Sequence, residues 1–279
     1  MKIATTKAEI DALARPLVLV PTMGALHAGH ASLIEQGTAR ARERGWAGGC
    51  AVTIFVNPTQ FNEKSDFERY PRTMDADAAA CAAAGASCVI VPDVAIVYPH
   101  GLDVGVPELP ATAVRPRLED AQRPGHFAGV CQVVRRLFEL VRPGAAVFGE
   151  KDWQQLQVVR EMVWKSAIPV EIIPGPTVRE PDGLAMSSRN RFLSPDDRRR
   201  AGALSRALRA SALERDPDRA EAVMAEVLAS EAITPDYGVV RDAATLVREP
   251  GSVPGVRYRA LIAARVGAVR LLDNTPWPG

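Results

Sequence analysis

Short, uninterrupted apolar runs alternate with helix-length amphipathic stretches through the first two-thirds of the chain. The runs at 17–20, 50–56, 88–91, 145–148 and 170–173 lack the period-2 alternation of a half-exposed strand, so they predict strands buried on both faces. Between them, helices are predicted at 29–44, 74–84, 126–141 and 152–167. In the third, Val133, Val134, Leu137, Phe138, Leu140 and Val141 recur at helical spacing, with Arg135, Arg136 and Glu139 in the gaps. The Ala-rich segment Asp75–Ala84 is a strong helix former, and Gly85 is its stop. Buried strands alternating with helices imply an α/β domain on a parallel sheet with right-handed crossovers. Ligands of such sheets bind beyond the carboxyl ends of the strands.

The pattern changes after about Pro176. Glu180-Pro181-Asp182-Gly183 signals a turn, and charged helices are predicted at about Pro195–Glu214 and Asp218–Glu231. Strands follow at Asp236–Val240, Tyr258–Ala264 and Ala268–Asp273, the last two joined as a hairpin through Arg265-Val266-Gly267. Residues 1–176 are therefore expected to form the larger domain. Residues 177–279 are expected to form a smaller C-terminal α+β domain placed to close over it as a lid. Val104–Pro116, rich in Pro and Gly, reads as a loop, and no internal repeat is visible.

Composition narrows the picture mainly by exclusion. At 279 residues, with 47% apolar and 24% charged positions, this is an ordinary globular chain. A net charge of +1 gives no global reason to bind nucleic acid. Arg198-Arg199-Arg200 and the basic stretch Arg40–Arg44 read as solvated helix faces. No run approaches the ~20 apolar residues of a membrane span, and Met1–Pro16 lacks the apolar core of a secretory signal, so a cytoplasmic location is expected. Cys50, Cys81, Cys88 and Cys131 have no paired or metal-like spacing and read as small buried hydrophobes.

Chemistry concentrates in four blocks. Pro21-Thr22-Met23-Gly24-Ala25-Leu26-His27-Ala28-Gly29-His30 follows the first apolar run and reads as strand end, glycine turn and first helical turn. It holds two of the four histidines, at i and i+3, where a helix N-terminus favours an anion. Gly24 and Gly29 leave room for a phosphate to approach the backbone. The second block, Phe55-Val56-Asn57-Pro58-Thr59-Gln60-Phe61, offers the neutral amides of Asn57 and Gln60, or is simply an Asn-Pro turn. Gly149-Glu150-Lys151-Asp152-Trp153-Gln154-Gln155 brings a mobile ammonium to a strand end, with Asp152 as a charge partner or only a helix N-cap. Met186-Ser187-Ser188-Arg189-Asn190 is either a compact anion binder or an ordinary serine cap. Arg123-Pro124-Gly125-His126-Phe127 borders this set, and His100 reads as a loop residue. The chain has no P-loop, no G-x-G-x-x-G, no G-x-S-x-G elbow and no H-E-x-x-H helix.

In this order, and together with Tyr70-Pro71-Arg72-Thr73 and the terminal Arg270-Leu271-Leu272-Asp273-Asn274, the blocks resemble the pantoate–β-alanine ligase family, within the wider H-x-G-H nucleotidylyltransferase-like superfamily. The resemblance spans nearly the whole chain. It implies a Rossmann-like parallel sheet flanked by helices with a smaller C-terminal α+β lid, and a cytoplasmic homodimer using ATP and Mg²⁺. Pantoate would be adenylated by ATP, and β-alanine would then attack the pantoyl adenylate to give pantothenate, with AMP and diphosphate released. The resemblance assigns ATP binding to Met23, Gly24, Ala25, Leu26, His27, Ala28, Gly29 and His30, to Gly149, Glu150, Lys151 and Asp152, to Val178, and to Met186, Ser187, Ser188 and Arg189. It makes His30 the proton donor, with His27 and Lys151 also catalytic. A histidine suits that role because its ordinary pKa, about 6.5, lies near working pH. Gln60 and Gln155 match pantoate-binding positions, and Gln60 also a β-alanine contact.

Two departures stand out. Ala28 replaces the usual Glu of the H-x-G-H motif, at a position with no assigned chemistry. In Met74-Asp75-Ala76-Asp77, Ala76 interrupts an acidic run that would help position Mg²⁺, so the metal ligands stay unassigned. A nucleotidylyltransferase on the same fold is the alternative enzyme. An RNA-binding synthetase relative is disfavoured by the neutral charge and the lack of a basic, aromatic-studded appendage.

Overall fold

Each continuous apolar run forms a strand, and successive side chains along it enter different cores. The computed structural model describes residues 1–60, 67–68, 70–102, 108–248 and 255–278. Its larger sheet comprises β1 (Lys2–Ala4), β2 (Val18–Thr22), β3 (Cys50–Ile54), β4 (Cys88–Ile90), β5 (Ala145–Gly149) and β6 (Glu171–Gly175). All are parallel, in the order β1-β4-β3-β2-β5-β6. The helices are α1 (Lys7–Asp11), α2 (Ala28–Glu43), α3 (Met74–Ala83), α4 (Val94–Val97), α5 (Glu119–Gln122), α6 (His126–Val141), α7 (Trp153–Lys165), α8 (Pro195–Ser211) and α9 (Pro217–Ser230).

Strand alternation fills two layers. Val18, Val20, Cys50, Val52 and Val147 face Ile34 and Ala41 of α2 and Cys81 of α3. Leu19, Ala51, Ile90, Ala146 and Phe148 face the other way, onto Val134, Leu137 and Phe138 of α6 and Leu156 and Val159 of α7. Both faces are therefore dry, which is why the strands read as unbroken apolar runs. The chain winds outward from β2 through β3 to β4, then returns to add β5 and β6 on the other side. The reversal at β2/β5 opens a crevice at their carboxyl ends, the place where such sheets receive ligands.

The short β1 has only three residues, two of them exposed, and so carries no apolar signature. Cys50, Cys81, Cys88 and Cys131 are all free and buried. In the expected loop 104–116, residues 104–107 lie outside the described residues, as does Phe61. Ala111–Ala113 form a 3-10 turn whose N–H groups donate to Glu161 on α7. Among the described residues, no helix is long and apolar enough to cross a membrane.

Beyond β6, α8 begins with Ser194 capping the Asp197 N–H and Pro195 at its first position. Together α8 and α9 pack on the antiparallel sheet of β7 (Pro235–Asp242), β8 (Tyr258–Val266) and β9 (Val269–Trp277). The hairpin turn is Gly267-Ala268, which shares only Gly267 with the predicted Arg265-Val266-Gly267. β8 runs on through Val266, β9 begins at Val269, and Gly267 supplies the left-handed residue.

The small sheet is seated on the large one by polar as well as apolar contacts. Leu246 and Leu261 enter the α6/α7 core. Arg270 on β9 makes a bidentate pair with buried Glu119 of α5 (2.8 and 2.6 Å), and the Tyr237 hydroxyl donates to the same carboxylate at 3.0 Å. Glu119→Ala would leave the Arg270 guanidinium with Asp236 as its carboxylate partner. We expect a loss of about 3–5 kcal/mol, the usual cost of breaking one side of a buried pair, measured by urea unfolding. A cost below about 1 kcal/mol would show that the pair does not hold the two sheets together.

Candidate active site

The first block leaves β2 through a turn built around a buried carboxylate. Thr22 Oγ1 donates to the Thr53 carbonyl of β3 at 2.7 Å, fixing the strand end. The chain then reverses through Gly24 and Ala25, both with positive φ (85° and 52°). Asp77 of α3, only 2% exposed, accepts the N–H groups of Ala25 (3.0 Å) and Leu26 (2.8 Å) and the Thr73 hydroxyl (3.1 Å). A Cβ on Gly24 would sit 2.9 Å from Asp77 Oδ2, so that glycine is required by the protein itself. In Met74-Asp75-Ala76-Asp77, the segment left without a metal assignment, Asp77 turns its oxygens to these three protein donors.

His27 is the N-cap of α2 and His30 its third residue, so they meet at the helix start and do not form two rungs of one face. Nδ1 of His27 accepts the Gly29 N–H at 3.1 Å, and Nδ1 of His30 accepts the His27 N–H at 3.3 Å. With both Nδ1 atoms accepting, both rings carry their proton on Nε2 and present it as a donor. The ring centroids are 4.1 Å apart. A Cβ on Gly29 would lie 2.9 Å from the His27 ring, so this glycine makes room for the imidazole. Ala28 is exposed, which explains why a Glu can be dispensed with there.

The ordinary histidine pKa expected from sequence does not apply. Burial, then Lys151 and Arg191, push His27 down to about 4. Burial, then His27, outweigh Asp152 and hold His30 at about 3. Both rings are neutral donors at working pH. Burial and the Arg123 guanidinium, which donates to Nε2 at 3.1 Å, likewise push His126 to about 3.

The other blocks converge on these rings. Glu150–Asp152 form a 3-10 turn after β5, and Lys151 Nζ lies 3.3 Å from Asp152 Oδ1. Asp152 occupies the N-cap position of α7 but makes no capping bond. Burial alone would raise its pKa; Lys151, Arg189 and Arg123 prevail and hold it below the ordinary value. Met186 reaches the start of α2, its Cβ 3.7 Å from where a Gly29 Cβ would be. The turn Glu180–Gly183 folds Val178 beside it: Met186 N donates to the Val178 carbonyl at 2.9 Å. Ser187 does cap the following 3-10 turn, accepting the Arg189 N–H at 3.2 Å. Ser188 bonds the hydroxyl of Tyr70, whose pKa is raised by burial.

In the second block the two amides part ways. Asn57, fully buried, bonds Thr59, the Gly129 carbonyl and the Tyr98 hydroxyl, so it holds the turn and offers nothing to a ligand. The side-chain amides of Gln60 and Gln155 make no hydrogen bond to another described residue, whereas adjacent Gln154 is buried and bonded to Thr112 and Asp120. Sequence reading misses the roles of Asp77, Tyr70 and the Arg123–His126 pair. The signals for them are the segments Tyr70-Pro71-Arg72-Thr73, Met74-Asp75-Ala76-Asp77 and Arg123-Pro124-Gly125-His126-Phe127, read without these roles.

A histidine held neutral by the fold takes up a proton when the chain unfolds in acid. Stability contributed by His27, His30 and His126 is complete above their unfolded pKa of 6.5 and is lost as pH falls toward 3–4. Unfolding free energy is expected to rise with pH between about 4 and 6.5 and to level off above. His126→Gln should reduce the slope by about one proton. A flat profile in urea titrations across that window would contradict the neutral rings.

The sequence pattern of the family described as pantoate-beta-alanine ligase matches residues 2–276. Pantothenate synthetase of Nocardioides sp. is 48% identical over 285 residues, covering 99% of this chain and 83% of the relative. That of Rubrobacter xylanophilus is 49% identical, covering 93% and 90%. The pantothenate synthetase structure from Thermus thermophilus superposes with a TM-score of 0.90 at 40% identity, covering 100% of both chains. A pantoate-beta-alanine ligase from Francisella tularensis, complexed with beta-gamma ATP and beta-alanine, gives 0.79 at 30% identity and covers 99% of this chain and 97% of its own. With its doubly wound sheet, its paired histidines and a match running end to end, this chain belongs to the pantoate–β-alanine ligase family.

Proposed function

We propose that this chain condenses pantoate with β-alanine at the expense of ATP, releasing pantothenate, AMP and diphosphate through a pantoyl adenylate. The observation that carries the reading is the meeting of two neutral Nε2–H donors, an ammonium and a guanidinium at the carboxyl ends of β2 and β5. A free carboxylate is a poor acyl donor because oxide leaves badly; adenylation supplies AMP as the leaving group. The pantoate carboxylate would attack the α-phosphorus while the bond to the β-phosphate oxygen breaks. That step crowds negative charge and calls for oriented donors and cations.

In this reading Met23–His30 hold the triphosphate. His27 and His30 donate their Nε2 protons as hydrogen bonds, and phosphate charge raises the proton affinity of His30, the proton donor. Lys151, Ser187, Ser188 and Arg189 neutralise phosphate oxygens from the other side, with Gly149, Glu150 and Asp152 shaping that edge. The Val178 carbonyl is taken by Met186, leaving its N–H for adenine. Gln60 and Gln155 hold pantoate, and Gln60 also meets β-alanine, whose amine attacks the acyl carbon, forms the amide and expels AMP. Mg²⁺ belongs to the reading as the companion of ATP. Among the described residues, no three His, Cys, Asp or Glu side chains converge, so the ion would rely on phosphate oxygens and water. A cytoplasmic homodimer is part of the same reading. Trp164, 78% exposed beside Val163 and Ile172 at the edge of the large sheet, offers an apolar face suited to a second copy.

Pantoate-dependent exchange of labelled diphosphate into ATP tests the first step. Exchange with pantoate and none without it is expected, and absence of exchange in the folded protein would refute the ligase reading. His30→Ala is expected to lower the exchange rate by about 10²-fold with little change in thermal midpoint. An unchanged single-turnover rate would refute its role.

A further inference from the structure

The turn that carries Lys151 is held from the outside by the C-terminal sheet. Asn274, in the middle of β9 and 3% exposed, donates its amide to two consecutive main-chain carbonyls, Glu150 O at 3.0 Å and Lys151 O at 2.8 Å. Its other end, Oδ1, accepts from Nε of Arg259 on β8. Arg259 is itself buried. It reaches Glu150 Oε2 at 3.0 Å and lies 3.4 Å above the centre of the Trp153 ring. The chain at Asn274 is pinned in turn: Arg179 bonds its carbonyl (3.1 Å) and both oxygens of Asp273 (2.7 and 2.9 Å).

Asn274 therefore adds a side-chain bond to each of two successive carbonyls of this 3-10 turn. One amide bridging both fixes the two peptide planes on either side of the Lys151 Cα–Cβ bond. The direction in which the ammonium leaves the backbone then depends on a residue far along the chain, 123 positions from Lys151. Asn suits this position specifically, because a single NH₂ group can serve two acceptors while the carbonyl end faces a donor. Asp would present oxygen to oxygen, and Ala would remove both carbonyl bonds and the acceptor that faces Arg259 Nε.

We propose that Asn274, oriented by Arg259, is a positioning residue for the adenylation step, setting Lys151 against the phosphates of ATP. This rests on the ligase reading and adds that the C-terminal sheet completes the phosphate site by holding the turn that carries Lys151. Gln60 and Gln155 lie outside this network, so the dependence should fall on the nucleotide side.

The test is a double-mutant cycle in the diphosphate-exchange assay on the full chain. Asn274→Ala should lower kcat/KM for ATP by about 10- to 100-fold, as small misplacements of a catalytic group do, with the pantoate KM within about twofold. In a Lys151→Ala background the same change should have almost no further effect. Full activity in folded Asn274→Ala, an equal loss in both backgrounds, or a parallel rise in pantoate KM would overturn the proposal. If Asn274→Ala does not fold, Arg259→Lys decides. It keeps the charge but loses the Nε donor, and its loss must likewise vanish without Lys151. Wild-type chain without exchange would instead sink the ligase reading, an outcome distinct from all of these.

Discussion

The site depends on one buried carboxylate. Asp77 reaches from α3 under the turn between β2 and α2 and accepts two successive N–H groups, so the turn closes around it. The placing of the two histidines follows from that closure. Gly24 must lack a side chain, Ala25 must take a left-handed conformation, and His27 arrives at the helix N-cap with its ring folded back over Gly29. An unpaired carboxylate at this depth would be costly; three donors offset the cost and turn it into a geometric constraint.

The electrostatics suit an anionic ligand. Lys151, Arg189 and Arg123 all act on Asp152, and the two histidines are kept neutral by burial and by neighbouring positive charge. Charging both rings would add like charges at close range. Presenting Nε2–H donors gives oriented dipoles at lower cost, and triphosphate charge would then favour their protonation at the moment it is useful. The C-terminal sheet belongs to the same arrangement, through Glu119 and Arg270 at one end and Asn274 at the other. A lid that opens by rigid rotation would have to break both sets of bonds.

Much of the fold is legible because apolar patterning is local. The five parallel strands other than β1 announce themselves as unbroken runs, and α8 and α9 by serine or aspartate followed by proline. β1 escapes because three residues with two exposed have no pattern, and the hairpin turn is misplaced because Val266 and Val269 read equally well on either side of it. The site blocks are legible as positions and less so as roles. Asn57, which in sequence is either a ligand amide or part of an Asn-Pro turn, proves to be internal glue, and Asp77, left without a role in sequence, proves to be an anchor. The glycines suggest phosphate access in sequence, whereas protein side chains already occupy the space. Histidine pKa values are beyond sequence because burial, their largest cause, is a property of the assembled site.

The measurement that bears most directly on the anchor is the Mg²⁺ dependence of diphosphate exchange in Asp77→Asn. An amide in place of the carboxylate loses one acceptor for the turn and keeps the size of the side chain. The account predicts a loss of about 10-fold or more in rate with the half-saturating Mg²⁺ concentration unchanged. Full activity, or a rate restored by raising Mg²⁺, would show that the carboxylate serves the metal and that the turn stands without it.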